Sequence, residues 1–501
     1  MRRTFSAICW TADGWPTRPP QREEAQALPT LETIVQSVNA FFLAYMLVYS
    51  SVLFLSVIVG VTQIARRTEQ VKMRNSFKHE YYVPISILVP AHNEELTVVD
   101  TVLSLLSQNY KLYEIIVVDD GSTDATAQTL IDYFGMEEIR RPVRRRVPCR
   151  DAERIWETQA WKVPITLIRK VNGGKADALN MGINASRFPY FIAMDADSVL
   201  DDALESIAKT VLEDDRTVAC GGLVRIANGA VLKDGKLVSY RLPKNFWARL
   251  QVMEYDRSFL ASRMFFDMFN GNLIISGAFG LFKKETVIQA GGYDTNTLGE
   301  DMELVVRLHE YCRANRIPYV IKYASDAVCW SQAPSRLGDL RKQRRRWHIG
   351  MFQSIVKHRQ LFLNPKYGLV GSFSFLYYIL FELFSPLIQI VGLAFVALAY
   401  HLGMANVPFM LGYYLWSLLF GAVLSIAAFF TRVFTYRTKL PPGDYLRAVL
   451  VCIVENFGYR QLISLFGLSG LIGYRKYSKS WGRIQRTRFT GDDADQKEAG
   501  A

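Results

Sequence analysis

Asp195 and Asp197 stand directly after a short strand, Tyr190 to Met194, in the run Ala193-Met194-Asp195-Ala196-Asp197. Residues two apart on an extended strand point to one face, so a strand end here can present both carboxylates together. Paired hard oxygen donors suit Mg²⁺ or Mn²⁺, ions that also bridge phosphate oxygens. An Asp-x-Asp in a loop is equally a pattern of solvated surface; the apolar strand before this one puts it at the ligand-binding edge of a sheet. Val117-Val118-Asp119-Asp120-Gly121-Ser122-Thr123-Asp124 has the same form, with a buried strand leading into adjacent carboxylates, a turn and a helix. Ser122, Thr123 or Asp124 would serve as a helix cap. Capping does not call for Asp119 and Asp120, and a carboxylate there can accept from a uracil N–H or ribose hydroxyls. In Asn172-Gly173-Gly174-Lys175 two glycines precede a helix whose Ala176, Leu179, Asn180 and Ile183 form a buried face. A helix N-terminus of this kind invites a phosphate, and Lys175 adds a positive charge; it also serves as an ordinary helix start.

These residues need a scaffold that brings strand ends together. From Tyr82 to about Val328 strands and helices alternate: Ile85–Val89, then a helix with Leu96, Val99, Leu103 and Leu106 at helical spacing, then Glu114–Val118, Ile165–Arg169 and Tyr190–Met194. Alternation of this kind implies parallel β-α-β units, which bind ligands beyond the carboxyl ends of their strands. A basic stretch from Arg140 to Arg150 interrupts the pattern as an exposed loop, and Lys233-Asp234-Gly235-Lys236 reads as a hairpin turn.

The rest of the 501-residue chain is apolar in long runs. Residues 34–64 carry no charge. A helix of that length spans roughly 45 Å against about 30 Å of hydrocarbon, enough for one tilted or protruding crossing. Arg66 and Arg67 mark its cytoplasmic end, which puts the N-terminal tail outside. Phe373–Tyr400, with Pro386 as a kink, and Val407–Phe430 are two further spans. Tyr445–Ile472 contains Glu455, Asn456 and Arg460, so a crossing there has to shield charge, and entry and exit on one side is the preferred reading. The net charge of +12 gathers at the flanks of apolar runs, as at Arg66, Arg67, Lys72 and Arg74, and again at Arg475, Lys476, Lys479, Arg483 and Arg486. That distribution points to a membrane surface and not to nucleic acid. The six cysteines form no C-x-x-C pair, which argues against a zinc site or a disulfide framework. Arg2 and Arg3 are followed by a polar, Pro-rich stretch and not by the apolar core of a secretory signal. His92, His309 and His348 lack metal-ligand spacing, and Phe375, Tyr377, Tyr378 and Phe381 read as lipid contacts or as a sugar channel.

With these motifs in order, the chain resembles the family 2 glycosyltransferases. Within them it is similar to the processive membrane synthases that make cellulose, hyaluronan and poly-N-acetylglucosamine. The resemblance runs from about Ile85 to Gly350. It is carried by Pro90-Ala91-His92-Asn93-Glu94-Glu95, the Asp119-Asp120-Gly121 turn, Gly173-Gly174-Lys175, Asp195-x-Asp197, Ile275-Ser276-Gly277-Ala278-Phe279-Gly280, Gly299-Glu300-Asp301 and Gln343-Arg344-Arg345-Arg346-Trp347. It implies an α/β fold: a GT-A (Rossmann-like) cytosolic catalytic domain combined with transmembrane and interfacial helices. The expected division is a tail over 1–31, a transmembrane helix over 32–66, the GT-A domain over 82–335 and an interfacial segment over 336–367. Two spans plus a re-entrant or third span follow over 368–472, then a basic, later polar tail over 473–501.

The same resemblance implies the roles. Pro90, Glu94, Asp119 and Asp120 would line the nucleotide pocket, with Lys175, Asp195 and Arg346 around the donor. Asp195 and Asp197 would hold Mg²⁺ or Mn²⁺, Asp301 would be the general base with Glu300 beside it, and Gln343 and Trp347 would face the acceptor sugar. Gly299 departs from the family's usual Thr. Glu300 to Glu303 also reads as an acidic first turn favoured by the helix dipole, and Gln343 to Trp347 as an amphipathic interfacial helix. The implied activity is inverting transfer of a sugar from a UDP-sugar, UDP-N-acetylglucosamine or UDP-glucose, to a β-linked saccharide at the plasma or inner membrane. The bilayer, export or accessory subunits and no nucleic acid are the implied partners. Single addition to a lipid acceptor, or a non-catalytic place in an export assembly, are the alternatives.

Overall fold

A computed structural model of the chain describes residues 31–74, 82–233, 235–435 and 440–477; the tail expected over 1–31 lies outside these but for its last residue, as does the tail over 473–501 beyond residue 477. The first described element is a single 44-residue helix, α1 (Leu31–Arg74), which runs beyond the arginine pair expected to end it. Next come β1 (Ile85–Ala91), α2 (Val98–Leu106), β2 (Tyr113–Asp119), α3 (Thr126–Phe134), β3 (Glu137–Ile139), β4 (Ala152–Thr158), β5 (Ile165–Lys170), α4 (Lys175–Ala185) and β6 (Tyr190–Met194). The second half adds β7 (Ser198–Leu200), α5 (Leu204–Glu213), β8 (Thr217–Ile226) and the hairpin β9 (Ala230–Lys233) and β10 (Lys236–Tyr240). It continues through α6 (Phe246–Arg257), a π-helical turn, α7 (Arg263–Asp267), β11 (Phe279–Lys283), α8 (Lys284–Gln289), α9 (Glu300–Ala314), β12 (Val320–Ser331) and α10 (Leu337–Lys357).

All strands but the hairpin join one ten-stranded sheet in the order β3-β4-β5-β2-β1-β6-β11-β8-β12-β7. Its centre, β5-β2-β1-β6, is parallel. β1 and β2 are apolar over nearly their whole length because both of their faces are covered. Val98, Val102, Leu105 and Leu130 of α2 and α3 pack on one face, and Leu179, Ile183, Leu304 and Leu308 of α4 and α9 on the other. β11 runs antiparallel to both β6 and β8, which is where the second half of the sheet departs from simple β-α-β repetition. A mixed sheet with its parallel strand ends opening on one edge, joined to long apolar helices, is the GT-A type of α/β architecture.

After α10 the chain forms α11 (Val370–Leu383), α12 (Ser385–His401), α13 (Val407–Thr435), α14 (Pro442–Val454) and α15 (Arg460–Ile472). Among the described residues Thr33–Arg66, Met410–Thr435 and Pro442–Ile472 are long and apolar enough to cross a membrane, and α11 with α12 forms a pair bent by 49°. Pro386 stands in the first turn of α12, where a missing N–H costs little, so the bend falls at Phe384 just before it. α14 and α15 are separated where Phe457 and Gly458 leave helical geometry. The charges at this break are shielded: Glu455 accepts from Ser425, from Arg460 at 3.1 Å and from Arg257 of α6. The basic loop 140–150 is held to α4 by Asn184, which accepts from the Arg146 and Val147 amides, and by Asp177, which accepts from the Arg150 amide.

Candidate active site

Four elements converge at the carboxyl edge of β6. β6 ends at Met194, and Asp195 to Asp197 form the turn into β7, so loop geometry, not strand alternation, brings both carboxylates to one cavity. Asp197 is almost wholly buried, whereas the Asp195 side chain keeps 31% of its exposure. The first residue of α4, Lys175, sets its ammonium 2.6 Å from Asp195 Oδ1 and 3.2 Å from Glu300 Oε1. Burial alone would push that ammonium down, but Asp195 and Glu300 more than offset it and hold its pKa above the usual lysine range. Burial raises the Glu300 carboxyl, and the positive charges of Lys175 and Arg346 pull against it.

Asp301, in the first turn of α9, accepts from the Gly277 amide at 3.1 Å and from the Met302 amide at 2.8 Å. The Lys175 ammonium lies over Gly277, donating to its carbonyl at 3.3 Å, and a Cβ at Gly277 would meet that ammonium at 2.6 Å. The Ser276–Ala278 turn thus runs beneath Lys175 and Asp301 and carries both. α10 supplies the facing wall with Gln343, Arg346 and Trp347. Gln343 Oε1 is buried without a hydrogen-bond partner among the described residues, and Trp347 keeps 39% exposure.

Lys175, Asp195, Asp197, Glu300, Asp301, Gln343, Arg346 and Trp347 all line one cavity of about 1340 Å³. The cavity continues past Trp347 between the membrane helices, along Tyr49, Tyr377, Phe381 and Ser385. Pro90, Glu94, Asp119 and Asp120 are outside this lining, at the carboxyl ends of β1 and β2. Asp120 turns its carboxylate inward: it accepts from Lys170 Nζ at 2.5 Å and from the Gly173 and Gly174 amides at 2.9 and 2.7 Å. Asp119 Oδ1 closes its own turn on the Ser122 amide at 2.9 Å. The Asn93 amide donates to Ser122 and the Glu94 amide to Thr126, which locks the loop after β1 to the loop after β2.

A divalent cation fits the Asp195–Asp197 corner by the chemistry of its donors. Among the described residues no group of three or more His, Cys, Asp or Glu side chains could hold a metal. A cation here would be held by the Asp195 and Asp197 carboxylates, and its remaining positions would be left to a ligand and water, the habit of Mg²⁺ at phosphate sites. Glu254 and Tyr255 of α6 stand in the wall outside the motifs. Their partners are about 90 residues away, so neither periodicity nor local spacing marks them.

The model of the family described as "Glycosyl transferase family 2" matches residues 86–148, and that of "Glycosyl transferase family group 2" matches residues 190–431. The poly-β-1,6-N-acetyl-D-glucosamine synthase of Staphylococcus epidermidis is 29% identical over 281 residues, 56% of this chain and 57% of that protein. The synthase of the same name from Staphylococcus aureus is 29% identical over 274 residues, 54% and 56% of the two chains. The chain thus covers little more than half the length of the curated relatives it matches. Among solved structures, a mannosyltransferase from Pyrobaculum calidifontis in complex with GDP-mannose and Mn²⁺ aligns over 82% of this chain and 99% of its own, with a TM-score of 0.46 and 17% identity. TarS of S. aureus aligns over 79% and 92%, with a TM-score of 0.37 and 13% identity. The two family regions, in this order along the sequence, together with the likeness to the staphylococcal synthases, support a family 2 glycosyltransferase of the membrane synthase kind.

Proposed function

We propose that the protein is a multi-pass, membrane-embedded inverting glycosyltransferase whose catalytic domain faces the cytoplasm. It takes a sugar from a nucleotide diphosphate donor, UDP-N-acetylglucosamine or UDP-glucose, and adds it processively to a growing β-linked polysaccharide that leaves through the membrane helices. One observation carries this reading: a single cavity has the Asp195–Asp197 pair, Asp301 and Trp347 on its walls and continues between the membrane helices.

In this reading the acceptor lies against Trp347 and Gln343, with its attacking hydroxyl toward Asp301. The Asp301 carboxylate takes the hydroxyl proton, the acceptor oxygen bonds to the anomeric carbon, and the bond from that carbon to the diphosphate breaks from the opposite face. An α-linked donor therefore yields a β-linkage without a covalent enzyme intermediate. A positioned base contributes on the order of a hundredfold to ten-thousandfold. Lys175 and Arg346 stand where negative charge grows on the departing diphosphate, and fixed charges in a closed site stabilise such a group without reorganising. When bound, Mg²⁺ or Mn²⁺ held by Asp195 and Asp197 supplies further positive charge to the diphosphate oxygens.

The test is a panel of radiolabelled nucleotide sugars given to purified protein in lipid vesicles, with Mg²⁺, with Mn²⁺ and with chelator, products being resolved by size. A metal-dependent ladder or high polymer from one donor is expected, and no transfer from any donor would refute the reading. A second reading, one addition to a lipid-linked acceptor, is favoured by the apolar far end of the cavity, walled by Leu43, Leu393, Val396 and Leu411. It would give a single lipid-extractable product.

A further inference from the structure

Glu254 is a carboxylate in the cavity wall that the chemistry above does not use. It lies in a stretch of α6 where three ionic side chains reach α10, α13 and the segment between α14 and α15. Asp256 faces Arg432 of α13 at 3.2 Å, and Arg257 donates to Glu455 at the α14–α15 break. Glu254 itself accepts both ends of the Arg344 guanidinium, at 2.6 and 2.8 Å, and accepts from the Tyr459 hydroxyl at 2.9 Å.

Arg344 is nine-tenths buried, and a buried guanidinium is tolerated only where its partner is fixed; the forked pair with Glu254 fixes it in one plane. That plane lies over the indole of Trp347, with Cζ 4.4 Å from the ring centroid, and Tyr255 flanks the same ring at 6.4 Å. Trp347 is thereby held from its protein side while the rest of the ring faces the cavity. Tyr459 stands next to Gly458, where the backbone leaves helical geometry with φ +89°. The orientation of Trp347 is thus tied through Glu254 to the break in the last membrane run.

We infer that Glu254, Arg344 and Tyr459 are positioning residues that fix the plane of Trp347 against the acceptor sugar, so that acceptor engagement depends on the α14–α15 break as well as on α10. This rests on the acceptor role proposed for Trp347. A sugar stacks on an indole only when the ring stands in the right plane. The clamp therefore governs the acceptor and leaves the donor pocket alone.

The experiment uses the full chain in lipid vesicles with UDP-N-acetylglucosamine, Mg²⁺ and a short β-1,6-linked N-acetylglucosamine oligosaccharide. It measures transfer to the oligosaccharide and, separately, hydrolysis of the donor by water. Arg344→Lys and Glu254→Gln are expected to raise the acceptor KM about three- to tenfold, the size of a lost cation–π contact or charged hydrogen bond, and to shift the products toward hydrolysis. Donor KM and the hydrolysis rate are expected to stay within about twofold. Tyr459→Phe, which removes one hydroxyl, is expected to shift the acceptor KM in the same direction and to keep its melting temperature. Trp347→Ala, run alongside, separates two failures. If it raises the acceptor KM while the three variants do not, the clamp is overturned; if it leaves the acceptor KM unchanged, the acceptor role falls and the clamp with it. Should Glu254→Gln or Arg344→Lys fail to fold, folded Tyr459→Phe with a wild-type acceptor KM overturns the proposal. Equal losses in transfer and hydrolysis mark a structural role and overturn it as well.

Discussion

Gly299 and Gly350 meet backbone to backbone: a Cβ on Gly299 would lie 2.9 Å from Gly350 Cα, and one on Gly350 would lie 2.6 Å from Gly299 Cα. The contact seats the N-terminus of α9, with Glu300 and Asp301, on the helix that carries Arg346 and Trp347. It also accounts for the departure from the family's usual Thr: a threonine before Glu300 has no space while α10 passes this close. The demand is for volume, since Gly299 has φ −119°, which any residue adopts.

Gly299→Thr, the change toward the family pattern, is therefore expected to harm this chain. Forcing a side chain into packed backbone costs about 1–3 kcal/mol, and the shift it imposes separates Asp301 from Trp347. A lower melting temperature together with slower sugar transfer would bear this out. Wild-type values for both would show that α9 and α10 are not held by this contact.

Asp195→Asn and Asp197→Asn probe the cation. Each variant is expected to need at least about tenfold more Mn²⁺ for half-maximal transfer and to lose about a hundredfold in maximal rate. Titration of transfer rate against Mn²⁺ decides the matter, and an unchanged midpoint in both variants would remove the metal from this corner.

Lys170 is fully buried between Asp120, at 2.5 Å, and Asp177, at 2.6 Å. Lys170→Met leaves two buried carboxylates facing each other, a change that costs about 3–5 kcal/mol when one partner of a buried ionic group is lost. Because Asp120 also holds the Gly173 and Gly174 amides, donor KM should rise along with the fall in melting temperature. A destabilised variant with unaltered donor KM would show that this loop does not shape the donor site.

Burial depresses the His309 pKa to about 4, and the neutral ring sits between the Tyr319 hydroxyl at 2.8 Å and the Asn272 carbonyl at 2.9 Å. An unfolded chain takes up this proton near the ordinary value of about 6.5, whereas the folded chain does not until pH falls to about 4. The neutral ring's contribution is therefore whole above about pH 6.5 and is lost as pH falls toward 4, by on the order of 3 kcal/mol. Denaturation midpoints between pH 7 and pH 4.5 should fall for the wild type and fall less for His309→Gln. Parallel curves would assign the pH dependence to other groups.

Much of the scaffold is legible before folding because β1, β2 and β6 are covered on both faces, which leaves uninterrupted apolar runs with acidic residues at their ends. Lys175, Asp195, Glu300 and Trp347 sit in short motifs, and the structure gathers them in one cavity. Asp120 was not legible in the same way, because whether its carboxylate faces a ligand or Lys170 depends on a strand 50 residues later. Glu254 lies in no motif, and its partner Arg344, inside one, is 90 residues away. The last membrane run has the length of a span, but it breaks at Phe457 and Gly458, beside a Glu455 paired with Arg257 and Arg460, contacts that no hydropathy profile contains.

The measurement closest to the central claim is sugar transfer by Asp301→Asn, which keeps the size of the side chain and removes its ability to take a proton. Purified variant and wild type would be compared in lipid vesicles with UDP-N-acetylglucosamine and Mg²⁺, with UDP binding measured on the same preparations. A fall in kcat of at least about a hundredfold with UDP affinity unchanged is expected for loss of a general base. Wild-type transfer by the variant would contradict the assignment of Asp301 and, with it, the chemistry proposed for this cavity.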